Sequence, residues 1–130
     1  MPHLQFEVNK VLTQKTKEDF AQQIRETFSE VMQTGTEHIA ISLREYEKYN
    51  LTIGRANPND DICLMNLDIR EGRSLEKRRE LALRYMSIIN KLFEVDNKNQ
   101  YITFTQHGGE DFHLIEKYLA SWQKGEDPLA

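Results

Sequence analysis

A single cysteine, Cys63, in 130 residues leaves no internal disulfide to form, which fits a reducing compartment and gives the expectation of a cytoplasmic protein. Its apolar surroundings mark a packed thiol rather than a nucleophile. No run approaches the roughly 18 apolar residues needed to span a bilayer. The N-terminus has no cationic stretch ahead of an apolar one, so no secretory signal is expected. Basic residues number 17 against 21 acidic ones, a net charge of -4. Without a basic excess there is nothing to displace phosphate counterions, so neither nucleic acid nor an anionic membrane is expected as a partner. His3, His38, His107 and His113 show no ligand spacing, and neither a metal nor another cofactor is expected. The length suits one domain over residues 1–130 with its own core, and is too short for two.

What is present is a pattern that occurs twice. His3 to Val8 alternates polar and apolar, with Leu4, Phe6 and Val8 on one face of a half-buried strand. Thr16-Lys17-Glu18-Asp19 reads as a helix start, Phe20, Ile24, Phe28 and Val31 as its apolar stripe, and Gly35 as its stop. A second strand follows with Ile39, Ile41 and Leu43 on one face. The order then repeats. Ile62 to Ile69 is a more fully buried strand. Ser74 caps a helix striped by Leu81, Ala82, Tyr85, Ile88, Ile89 and Leu92, and Tyr101 to Thr105 is the fourth strand. A shift of about 58–61 positions lays strand on strand and helix on helix, the mark of an internal repeat. The halves are residues 2–46 and 62–106, joined by a loop or short hairpin over 47–61 and followed by a C-terminal segment over 107–124. There Phe112, Ile115, Leu119 and Trp122 suggest a short helical stripe, and the acidic end, 125–130, is expected to be disordered. Two β-α-β units predict an α+β sandwich: a four-stranded mixed sheet with two helices on one face. Ile62 and Leu64 fall on the open face, which predicts burial by self-association.

Two features carry chemistry. Removal of Met1 would leave Pro2 with a free secondary amine. An α-amino group titrates near 7.7–8.0, about the closest to neutrality of any protein amine. Burial or a nearby cation lowers that value further, so the ring nitrogen would suit proton transfer at carbon beside a carbonyl. Proline is also common enough to stand here by chance. The second feature is Arg70-Glu71-Gly72-Arg73-Ser74, between the third strand and the second helix. A helix N-terminus repels cations, so paired arginines there make sense if an anion sits between guanidinium forks and backbone amides. They could equally splay into water or pair with Glu71 and Glu76. The first and third strands are equivalent inner strands, so Pro2 could approach the arginine turn within a protomer or across an interface. Base plus clamp would suit enolisation of a 2-oxo acid.

On Pro2, the repeat and the arginine turn, the sequence resembles the tautomerase superfamily of 4-oxalocrotonate tautomerase and macrophage migration inhibitory factor, above all its cis-3-chloroacrylic acid dehalogenase branch. Thr36-Glu37-His38-Ile39-Ala40 is similar to the start of the second strand in those last two groups, and the likeness spans residues 2–119. The resemblance implies a tautomerase/MIF-like fold, a homotrimer, Pro2 as the catalytic group, and Arg70 and Arg73 as binders of a small carboxylate substrate. The departures are specific. Thr27, Phe28 and Ser29 stand where the dehalogenase branch has a helical histidine, and Thr34 lies near the place of the inhibitory-factor lysine. Thr103 aligns with a strand tyrosine of the dehalogenases, with Tyr101 two residues away on the same face. Leu114 falls at the place of the water-activating glutamate, which Glu116 or Glu110 could supply only after a local shift. Hydration and dehalogenation need that water. Tautomerisation needs only Pro2, Arg70 and Arg73, so a keto-enol tautomerase of small 2-oxo and 2-hydroxyalkenoic acids is the leading expectation. A dehalogenase-like hydratase or decarboxylase is the alternative, and a non-catalytic module binding a small anion or a protein is the third.

Overall fold

The doubled pattern folds as two equivalent halves in a computed structural model that describes residues 2–116 and 118. The first half is β1 (His3–Val8), α1 (Gln14–Met32) and β2 (Ala40–Glu45). The second is β3 (Cys63–Arg70), α2 (Leu75–Phe93) and β4 (Gln100–His107). The strands lie in the order β2-β1-β3-β4. Within each half the strands are parallel, and the inner strands β1 and β3 run antiparallel, with His3 opposite Asp68 and Val8 opposite Cys63. This is the expected mixed α+β sheet, and β1 and β3 are its inner strands.

Period-2 alternation drives the sheet against the helices. Leu4, Phe6 and Val8 on β1, and Cys63, Met65, Leu67 and Ile69 on β3, are all buried. From α1 they meet Phe20, Ile24, Phe28, Val31 and Met32, and from α2 Leu81, Tyr85, Ile89 and Phe93. Burying one such side chain contributes roughly 1.5–3 kcal/mol. Phe6 packs edge-on against Phe20 with centroids 4.8 Å apart, and the buried Tyr85 hydroxyl donates to the Ile24 carbonyl at 3.0 Å.

The helix ends correct two expectations. Thr13, not Thr16, is the N-cap of α1: its backbone is extended and its hydroxyl accepts from the Thr16 amide at 3.1 Å. Helix α1 stops at Gln33, in the left-handed conformation (φ 53), before Gly35 is reached. Ser74 caps α2 as expected, accepting from the Lys77 amide at 3.1 Å, and Glu94 (φ 57) ends that helix in the same way as Gln33. The Tyr46 to Asp61 segment contains no strand, only a helical turn at Lys48–Asn50. Ile62 is buried within the protomer and shares a pocket with Leu51 and Ile53 of that segment. It is therefore covered by the protomer's own connecting segment and needs no neighbour to bury it, contrary to the expectation of burial by self-association. Most of the open face is polar, with Leu64 half-buried and Tyr101 exposed. The C-terminal stripe is not helical where described. Gly109–Asp111 is a single turn, an antiparallel bridge joins His113 to Tyr118, and Ile115 is fully exposed. Leu119, Trp122 and residues 125–130 lie outside the described residues. Among the described residues, no helix is long and apolar enough to cross a membrane.

Candidate active site

Because β1 and β3 are antiparallel, the start of one meets the end of the other. Pro2 lies one residue beyond the His3–Asp68 pair; it is buried, on the helix-facing parity, and its carbonyl accepts from the Ala40 amide at 3.1 Å. Arg70, the last residue of β3, is at the same end of the sheet, two residues beyond Asp68. The Arg70–Ser74 turn then reverses at Gly72, whose φ of +102 is a conformation that side chains other than glycine's rarely adopt. Nothing stands within 4 Å of the place a Cβ would take there. Backbone conformation, rather than crowding, therefore explains that glycine.

The two arginines are used differently. Arg73 reaches across to the other helix, where its Nη1 donates to the Met32 carbonyl at 3.1 Å. Lys77 does the same, with Nζ donating to the Val31 carbonyl at 3.0 Å. Helix α1 has no basic residue in its last turn, so these two side chains of the second half supply the cations that its C-terminal dipole favours. Arg70 is half-buried, and its guanidinium makes no hydrogen bond or ion pair among the described residues. Both arginines thus lie at the Pro2 end, one bracing the helix layer and one uncommitted.

The other candidates are scattered. Thr103 is exposed on the open face and donates to Asn66 Oδ1 at 3.0 Å. Tyr101 pairs in register with Leu64, itself opposite Glu7. That places it roughly 17 Å along the strand direction from Pro2 at about 3.4 Å per residue. Within one protomer, Tyr101 does not join Pro2. Glu116 and Glu110 are exposed, beyond the end of β4. Thr27, in the region of the missing helical histidine, is buried in the core face of α1.

The sequence reading missed one group. His107, which the repeat pattern puts just outside the fourth strand at the start of the C-terminal segment, instead ends β4 and is half-buried, with Nε2 2.9 Å from Asp68 Oδ1. The hydrogen bond to Asp68, with the charges of Asp68 and Asp111, raises its pKa above 6.5 despite opposing desolvation. The signal available was parity: Asp68 and His107 fall on the polar face of two strands that the repeat makes neighbours. Cys63, by contrast, is fully buried, and desolvation, with a smaller push from the Glu7 charge, drives its thiol up to about 12. It is no nucleophile.

The chain matches no family model and no curated protein by sequence. Its fold matches solved structures of one architecture. A member of the cis-3-chloroacrylic acid dehalogenase family called N1 superposes with a TM-score of 0.79 at 14% identity, covering 89% of this chain and 82% of that one. A wild-type fused 4-OT symmetric trimer gives 0.78 at 15%, over 87% and 91%. The macrophage migration inhibitory factor-like protein of Entamoeba histolytica gives 0.73 at 16%, over 90% and 97%. These belong to the groups that the sequence resemblance named, and the fold it implied is the fold observed.

Proposed function

We propose that this chain, once Met1 is removed, is a proline-dependent keto-enol tautomerase of small 2-oxo and 2-hydroxyalkenoic acids that works as a homotrimer. The observation that supports it most is the β1–β3 register, which brings the buried Pro2 and the uncommitted Arg70 to one end of the sheet. Burial disfavours the charged amine, and Arg70, Arg73 and Lys77 at that end act in the same direction, so the imino nitrogen would be free to act as a base near neutrality. In the enolising direction Pro2 takes a proton from C3, and the C–H electron pair becomes the C2–C3 double bond. The charge passes to the 2-oxo oxygen; Arg70 grips the neighbouring carboxylate, and the positive charge of Arg73 at the same end favours the oxyanion. The same nitrogen returns the proton to carbon in ketonisation. Neither step needs an activated water, which matters because Leu114 replaces the family's glutamate. The homotrimer rests on the family resemblance, and a sheet face carrying Leu64 and Tyr101 accords with a neighbour packing there.

The test is ketonisation of phenylenolpyruvate and 2-hydroxymuconate by the mature protein and Pro2→Ala, followed by ultraviolet absorbance. General-base catalysis predicts a loss of about 10²–10⁴-fold. Equal rates would remove Pro2 from the mechanism. Intact mass before and after 3-bromopyruvate should show Met1 absent and one adduct on the N-terminal peptide.

A further inference from the structure

One cluster at the Pro2 end has no part in that chemistry. On the face of the sheet away from the helices, Asp68 Oδ1 holds His107 Nε2 at 2.9 Å. Its Oδ2 accepts from Gln5 Nε2 at 2.6 Å and from Asn66 Nδ2 at 3.2 Å. Asn66 is fixed in turn by the hydroxyls of Thr103 and Thr105, each donating to its Oδ1 at 3.0 Å. Side chains of three strands thus orient one carboxylate toward one imidazole, a degree of organisation that an isolated surface ion pair lacks. On its other side, His107 Nδ1 lies 3.5 Å from Asp111 Oδ2, and the Phe112 ring meets the imidazole edge to face at 5.5 Å. The remaining charged groups around it are few. Arg70 is its register partner on β3, and the Glu71 amide donates to the His107 carbonyl at 2.8 Å. The Glu110 carboxylate folds back toward Gly108, and His3 lies across β1 from Asp68.

We propose that His107, clamped between Asp68 and Asp111, is a positioning residue for Arg70 whose protonated form strengthens carboxylate binding at the arginine turn. The imidazolium has two N–H donors, one for each flanking carboxylate. Neutral imidazole has only one, and turns a lone pair toward the other carboxylate. The doubly held state therefore requires the proton. It fixes the end of β4 and the Gly109–Asp111 turn against β3, just where the Glu71 amide begins the loop that aims Arg70. The hydrogen bond to Asp68, with Asp111 in support, keeps that proton on to a pH above the ordinary 6.5. Carboxylate affinity should then be highest below the transition and fall as pH rises through it. The inference draws on the tautomerase reading only for its kinetic readout.

The experiment follows the His107 ring resonances by NMR across pH in the full chain and in Asp68→Asn. In parallel, calorimetry measures binding of 3-phenylpropionate, a carboxylate with no enol, by wild type and His107→Gln. His107 should titrate above 6.5, and at lower pH in Asp68→Asn. Below that transition, wild type should bind about two- to fivefold more tightly than His107→Gln, the range of a partly exposed charge interaction, and the two should converge above it. With phenylenolpyruvate the same difference should appear in KM and not in kcat. A constant ratio between the two proteins across pH, an unchanged titration in Asp68→Asn, or no carboxylate binding at all would overturn the proposal. If His107→Gln fails to fold, the titration and the wild-type binding curve decide. Proton-dependent binding without turnover would sink the tautomerase and leave the positioning role standing.

Discussion

The two arginines can be separated by asking what each holds when no substrate is bound. Arg73 donates to the Met32 carbonyl, and beside it Lys77 donates to the Val31 carbonyl, at a helix end that has no cation of its own. A hydrogen bond to a charged group is worth about 1.5–3 kcal/mol, and partial exposure of Arg73 discounts that toward about 1 kcal/mol. Replacing Arg73 by Met should therefore lower the melting temperature by about 3–5 °C for a domain of this size. Arg70 makes no such contact, so Arg70→Met should stay within about 0.5 kcal/mol of wild type. Kinetically the order reverses. If Arg70 grips the substrate carboxylate, losing a charge-assisted bond of about 1.5–3 kcal/mol raises KM for phenylenolpyruvate roughly 10- to 100-fold. Differential scanning fluorimetry at one protein concentration, paired with steady-state kinetics, reads both sides. The double variant Arg73→Met/Lys77→Met tests the brace, because neighbouring contacts at one helix end should couple by at least about 0.5 kcal/mol. An Arg73→Met protein that melts like wild type, with KM raised as much as in Arg70→Met, would refute the division of labour.

Gly72→Ala should destabilise by about 1–2 kcal/mol in urea unfolding, since φ +102 strains any side chain although space is open there; an unchanged midpoint would contradict it. Cys63 should react with a disulfide reagent only as fast as the protein unfolds, because the thiol is fully buried and driven up to about 12; rapid labelling of native protein would count against that burial. Lys17, and after it the Leu12 amide, hold the Glu45 carboxyl below its ordinary 4.5. That stability is present above 4.5 and lost as pH falls through the lower folded value. Glu45→Gln should therefore cost about 0.5–1 kcal/mol at pH 7, and the gap should close in acid. A gap that persists at low pH in urea melts would show that charge is not its source.

The fold was legible because apolar parity is a strong constraint. Leu4, Phe6 and Val8 can be buried only together, and the same holds for Cys63, Met65, Leu67 and Ile69, so two strand faces follow directly from the pattern. Helix ends were less legible. Thr13 and Thr16 are both competent caps, and the choice depends on where β1 delivers the chain. Gln33 ends α1 by adopting a left-handed conformation more usual for glycine, which diverted the reading to Gly35. The use of Arg73 was hidden because its partner is a backbone carbonyl 41 residues earlier, which has no signature in sequence. His107 was hidden for a related reason. Its partner Asp68 becomes a neighbour only through the register of β3 on β4, and the apolar alternation that marks the fourth strand ends before residue 107.

The two ends of the sheet hold their helix C-termini by the same device. At the far end, Asn9 donates to the carbonyls of Lys48 and Asp60 and accepts from the Ile62 amide, tying the long connecting loop to β1. Lys10 there bonds both Asp61 and the last carbonyl of α2, at Phe93, while Lys48 takes the other oxygen of Asp61. Each half thus has its helix C-terminus held by cations from elsewhere in the chain: Lys10 serves α2 as Arg73 and Lys77 serve α1. At the far end Lys10 and Lys48 share the one carboxylate of Asp61. At the Pro2 end no carboxylate among the described residues answers Arg70, while Arg73 and Lys77 bond to carbonyls of α1. If the proposed substrate carboxylate binds Arg70, it supplies at the Pro2 end what Asp61 supplies to Lys10 at the far end.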